Sequence, residues 1–140
     1  MVKRLFSYHI LILAALALDA QDITVVAEYP SVVEAGKQFN ITWSVNAGGG
    51  QFSAPSFEGF YKLMGPQTSY SSSTQIVNGR VTQQTTNSFT FYLQALEEGR
   101  YVIPPASYTA KNKSYYSDSL RIEVIKGAAA QQNTGQEITS

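Results

Sequence analysis

The chain has 140 residues, with ten Lys+Arg against ten Asp+Glu, one histidine and no cysteine. That length fits one domain, and zero net charge argues against a nucleic-acid or polybasic membrane-surface protein, which carries a basic excess. The missing thiols exclude a disulfide framework, Cys-ligated zinc, iron–sulfur clusters and thiol nucleophiles, while charged residues at 14 % beside nine Tyr and seven Phe point to an all-β domain.

Lys3 and Arg4 form a short basic region, and an apolar run follows from Ile10 to Leu18. The run is too short to span a bilayer, which takes ~20 apolar residues. Small residues come next at Ala15, Ala17 and Ala20. This order predicts a secretory signal peptide over residues 1–20, cleaved after Ala20. Cleavage after Ala17 gives a cleaner small-x-small site but exposes Leu18. Removal of the leader takes away His9, Lys3, Arg4 and Asp19. The mature chain then has eight bases, nine acids, a net charge of −1 and no imidazole. The expected location is the periplasm or cell envelope, where a disulfide would be permitted. Without one, the domain must hold by packing alone.

Beyond the leader the chain reads as short strands. Ile23 to Glu28 is β-branched and is broken by Pro30, because proline cannot donate to a ladder. Val32 and Val33 resume an edge segment, and Glu34 to Lys37 is a turn. From Gln38 to Val45, Phe39, Ile41, Trp43 and Val45 alternate with polar residues, so one face is buried and one is wet. Asn46 to Gly50 is a loop. An apolar segment from Phe57 to Met64 stops at Gly65-Pro66, and Thr68 to Thr74 forms a separate polar edge strand. Asn78-Gly79 tolerates the positive φ angles of a type I′ turn, so Val77 to Val81 is a hairpin. Phe89, Phe91 and Leu93 alternate in a further strand. Gly99 opens another, which Pro104-Pro105 ends. Lys111 to Lys113 is a polar turn, and Leu120, Ile122 and Val124 alternate in the last strand. Seven to nine such strands predict an immunoglobulin-like β-sandwich over residues 21–125. The tail, 126–140, rich in Ala, Gln, Asn, Thr and Gly, reads as a flexible linker.

Glu97-Glu98-Gly99-Arg100-Tyr101-Val102-Ile103 resembles the E–F corner of immunoglobulin domains, with Ile103 in the place of the second cysteine. An apolar contact such as Ile41 with Ile103 would then replace the disulfide. The alternative is that Gly99 and Tyr101 form only a turn and a strand start.

Chemistry is scarce. Nucleophilic triads need a base beside Ser or Cys, and the mature chain has no imidazole. There is no Asp-x-Asp-x-Asp calcium loop. Glu97-Glu98 are neighbours that point to opposite faces of a strand, so they form no acid/base pair. Gly48-Gly49-Gly50 lacks the Lys-Ser/Thr of a phosphate loop. The sequons at Asn40 and Asn112 are too common to carry a function. No cofactor, metal or nucleic acid is implied. Tyr70, Tyr108, Tyr115 and Tyr116 lie in Ser/Thr-rich stretches and are the candidate interaction surface. The reading is a non-enzymatic protein-interaction module, with a carbohydrate- or surface-binding module as the alternative.

Ala27-x-x-Pro30-x-x-Val33-x-x-Gly36-x-x-Phe39 leads into Val45-Asn46. Pro55-x-Phe57-x-x-Phe60 precedes Leu63-Met64-Gly65-Pro66 and the serine run Ser69 to Ser73. Gly99-x-Tyr101-x-Ile103-Pro104-Pro105-Ala106 precedes Tyr116-Ser117 and the strand ending at Val124. Taken in order, from Ile23 to Ile125, these residues resemble the N-terminal domain of the BatD oxygen-tolerance (aerotolerance) family of Gram-negative bacteria. The resemblance implies an exported, membrane-anchored envelope protein with several β-sandwich domains and a late transmembrane helix. It implies partners with von Willebrand A-domains and tetratricopeptide repeats, in a complex linked to aerotolerance or envelope stress. It supplies no catalytic residues. The family continues into further domains where this sequence stops, so the chain is expected to be a fragment of a longer protein. A complete chain would instead be a periplasmic module without an anchor.

Overall fold

The structure, a computed structural model, describes residues 22–127. The signal peptide expected over 1–20 and all but the first two residues of the tail expected over 126–140 lie outside the described residues. Ten strands occur in chain order: β1 (Val25–Glu28), β2 (Val32–Glu34), β3 (Gln38–Val45), β4 (Gln51–Ser53), β5 (Phe60–Val77), β6 (Arg80–Ala95), β7 (Gly99–Ile103), β8 (Ser107–Ala110), β9 (Lys113–Tyr116) and β10 (Leu120–Ile125). There is no helix among the described residues.

One sheet has the order β1-β3-β6-β5. The ladders β2-β10-β7 and β4-β8-β9 make the other face. These two ladders share one register: Ile103 faces Leu120 and, four residues further along each strand, Ser107 faces Tyr116. Between them Ser117 N–H donates to the Ala106 carbonyl at 3.0 Å. The Ala106 N–H in turn donates to Ser117 Oγ at 2.9 Å. Thus β7 and β8 are one strand with a break at Pro104-Pro105, where no ladder donor exists, and β9 and β10 are its hairpin partner. Lys111 and Asn112, with φ of 52° and 63°, make the turn. The second sheet therefore runs β2, β10 with β9, β7 with β8, and β4.

This arrangement is the immunoglobulin one. The sheets correspond to A-B-E-D and to G-F-C. The first strand is split at Pro30, so that β1 pairs antiparallel with β3 while β2 pairs parallel with β10.

The period-two strands bury the faces expected of them. Ile41, Trp43 and Val45 on β3, Phe89, Phe91 and Leu93 on β6, and Leu120, Ile122 and Val124 on β10 are buried. Ile103 and Ile41 are both wholly buried in this one core. The site of the usual inter-sheet disulfide is thus filled by apolar packing. Trp43 sits among Phe52, Phe57 and Phe91, with ring centroids at 5.8, 6.1 and 5.7 Å. Its indole N–H is a buried donor without a partner among the described residues.

Two expected segments turn out to be one strand. The expected apolar segment Phe57 to Met64, from Phe60 onward, and the polar strand Thr68 to Thr74 belong to the single 18-residue β5, and Glu58-Gly59 is a turn before it. Gly65-Pro66 does not stop it. Gly65 has φ of 130°, and a Cβ there would lie 2.9 Å from the Thr90 carbonyl oxygen, so only glycine lets the strand pass this close to β6. The ladder absorbs the passage in two register shifts, between Lys62 and Met64 and between Met64 and Gln67.

Candidate interaction surface

The E–F corner is real. Tyr101 is the third residue of β7, and its hydroxyl donates to the Glu97 carbonyl, four residues upstream, at 2.8 Å. This is the tyrosine corner of immunoglobulin domains. Its ring also lies against Gly59, where a Cβ would come within 2.4 Å of Tyr101 Cδ1. The corner is a fold device, and it leaves no free hydroxyl for chemistry.

The four candidate tyrosines do not form one platform. Tyr108, expected on the surface, is 0 % exposed. Its ring is in the core, and its hydroxyl accepts the Gly50 N–H at 2.7 Å and contacts the Ala47 carbonyl at 3.5 Å. A Cβ on Gly50 would sit 2.6 Å from that ring. The tyrosine is buried because a paired hydroxyl can be taken out of water, and the glycine loop supplies both the room and the donor. Tyr115 faces Tyr108 across the β8–β9 ladder and is half-buried. Lys113 Nζ lies 5.4 Å from the Tyr115 ring centroid. Tyr116, next along the strand, is 68 % exposed and points to the opposite face. Tyr70, 63 % exposed, stands on the other sheet.

Tyr70 marks a feature that composition did not single out. The strands β5 and β6 pair without interruption from Gln67↔Thr90 to Val77↔Arg80. The partner β3 ends at Val45, opposite Asn87. The ribbon beyond that point is two strands wide. Every residue of β5 from Pro66 to Val77 is exposed, as are Arg80 to Gln84 and Thr86 on β6. Tyr70 to Val77 spans about 24 Å at ~3.4 Å per residue. Asn78 and Gly79, with φ of 53° and 77°, close it as the expected two-residue turn.

The arm carries one charge, Arg80, between Gln67 and Asn87. Tyr70, Ser72, Thr74 and Ile76 continue the core-facing side of the sheet, where Tyr70 lies over Gly48 and Gln83 Nε2 donates to Ser72 Oγ at 3.1 Å. At the tip, the facing pair Ile76 and Val81 is 74 % and 68 % exposed. Beside its base Asp22, Asn46 and Gln83 to Thr86 line an open cleft of about 500 Å³. Asn46 fixes the chain there: its Oδ1 accepts the Thr24 N–H at 2.7 Å and its Nδ2 donates to the Asp22 carbonyl at 3.0 Å. Among the described residues no three His, Cys, Asp or Glu side chains cluster, and no helix is long and apolar enough to cross a membrane.

Residues 26–124, from β1 to β10, match the BatD family, described as a BatD DUF11 like domain. The chain belongs to the BatD family. Among solved structures it is similar to the CARDB domain of the PF1109 protein from Pyrococcus furiosus. The solution structure of that domain is 19 % identical over 74 % of this chain and 94 % of the other, with a TM-score of 0.39. The crystal structure of the same domain in complex with di-metal ions is 20 % identical over 75 % and 94 %, also with a TM-score of 0.39. Comparison with curated proteins gives no match.

Proposed function

We propose that this BatD domain is a non-enzymatic, exported protein-interaction module of the cell envelope. It serves a membrane-associated complex of the aerotolerance or stress type, and its contact element is the β5–β6 arm. The partners we assign to it are envelope proteins, including the von Willebrand A-domain and tetratricopeptide-repeat proteins of the same system. Membership of the family supports the envelope setting. The observation that carries the contact role is the arm. Among the described residues nothing covers its edges, and beyond the contact of Tyr70 with Gly48 nothing covers its faces, while an isolated two-stranded ribbon is marginal in water. Sugar stacking on tyrosines is the weaker reading, because Tyr108 is in the core and Tyr70, Tyr115 and Tyr116 do not share a face.

Affinity purification of the tagged protein from envelope extract tests this. The variant for comparison lacks residues 70–77 and 80–87, which leaves Asn78-Gly79 as a turn between Ser69 and Ser88. The intact protein is expected to retain envelope proteins that the shortened variant loses. Recovery of nothing above background, or equal recovery by both, would overturn the proposal.

A further inference from the structure

The outer edge of the arm is built unevenly. β5 is the last strand of its sheet, so its outer edge is open from end to end. Over the sandwich that edge is guarded in the usual ways, by a charged residue (Lys62), two register irregularities and Pro66. From Gln67 to Val77 the guards stop: there is no charge, no proline and no bulge. Natural edge strands left bare in this way are templates for pairing with another chain.

The turn fixes which groups are free. In a two-residue hairpin the pair flanking the turn, here Val77 and Arg80, is a hydrogen-bonded pair, and such pairs alternate with non-bonded ones. Tyr70, Ser72, Thr74 and Ile76 therefore direct their backbone N–H and C=O groups outward. The same four side chains lie on the core-facing side of the sheet.

The sequence of this edge is balanced about Ser73. A two-fold axis through Ser73 places Tyr70 opposite Ile76 of a second copy, Ser72 opposite Thr74 and Ser71 opposite Gln75. The outward groups of Tyr70, Ser72, Thr74 and Ile76 then meet their counterparts as hydrogen-bonded pairs. The two large exposed apolar residues of this face meet as aromatic and β-branched neighbours, a favourable cross-strand pair. Hydroxyls meet hydroxyls between them. With no charge from Gln67 to Val77, two identical edges meet without like-charge repulsion.

The C-terminal end of the described residues lies away from this edge. β10 ends at Ile125, whose carbonyl accepts the Ala35 N–H, and Gly36 N–H donates to the Ala95 carbonyl. That end of the sandwich holds the far end of β6 from the arm, so β10 ends away from it, while Asp22 at the other terminus lies against the β6 side of the arm's base.

We infer that two copies pair antiparallel along β5, with the two-fold axis at Ser73, joining their arms into one four-stranded sheet. The interface is isologous, as in most homodimers. The inference rests on the reading of the arm as a contact element and names a partner for it.

The test is the oligomeric state of the purified protein by sedimentation equilibrium, with single-cysteine variants in a chain that has no other thiol. The expected mass is twice that of the monomer. Ser73→Cys faces itself in a non-hydrogen-bonded pair, whose Cα atoms stand about 4.5 Å apart, within disulfide reach. It is expected to give a disulfide-linked dimer on mild oxidation, while Thr82→Cys, on the arm's other strand, stays monomeric on denaturing gels. Ser73→Lys, on an exposed position outside the core, is expected to keep the circular dichroism spectrum and to run as a monomer. A monomeric wild type, an undiminished Ser73→Lys dimer, or faster cross-linking through Thr82→Cys overturns the inference. A monomer that still retains envelope proteins through the arm defeats the dimer and leaves the interaction reading intact. A dimer that retains none does the reverse.

Discussion

Tyr101 ties the start of β7 to the turn before it through one hydrogen bond to the Glu97 carbonyl. A typical intramolecular hydrogen bond contributes about 1 kcal/mol net. Tyr101→Phe keeps the ring against Gly59 and removes only that bond. The expected loss of about 1 kcal/mol lowers the melting temperature by about 4–8 °C in a domain of this size. Thermal unfolding followed by circular dichroism measures it, and an unchanged midpoint would mean the corner does not contribute. The corner was legible as one of two readings of Tyr101 because its signal is local: Gly99 and Ile103 flank it at fixed spacing on one segment. Tyr108 was not legible, because its environment is made elsewhere. The N–H that its hydroxyl accepts belongs to Gly50, 58 residues away in sequence. A tyrosine between Ser107 and Thr109 has the composition of a surface strand, and only the fold reveals the glycine loop that receives it.

At the scale of elements, the alternating strands were plain from period two, and the hairpin turn was plain from Asn78-Gly79. The length of the arm was hidden by Gly65-Pro66, which carries the local chemistry of a stop. Tertiary packing overrode that chemistry, since Gly65 lies against Thr90 and Phe91 and the ladder resumes after two shifts. The Ser/Thr run then reads as a short edge strand when it is half of a ribbon. None of the residues from Pro66 to Val77 belongs to the core. Shortening the arm by residues 70–77 and 80–87 is therefore expected to change the unfolding free energy by less than about 1 kcal/mol, in line with surface changes generally. Denaturant unfolding of the purified variant reads this directly. A larger loss would show that the arm braces the sandwich, for instance through Tyr70 over Gly48, and would weaken its assignment to an outside partner.

At the scale of the whole molecule, the domain closes without a disulfide by joining Ile41, Trp43 and Ile103 in one core with thirteen other buried side chains around them. The projecting ribbon takes no part in that core. The outer face of the second sheet supplies an internal control: Val102 is 59 % exposed on β7, yet it lies on the guarded body of the sandwich. The most direct measurement is site-specific photo-cross-linking in the intact cell envelope, with the reactive side chain placed at Ser73 in one strain and at Val102 in another. Covalent protein adducts are expected from Ser73 and none from Val102. Adducts from Val102 alone, or none from Ser73, would contradict it.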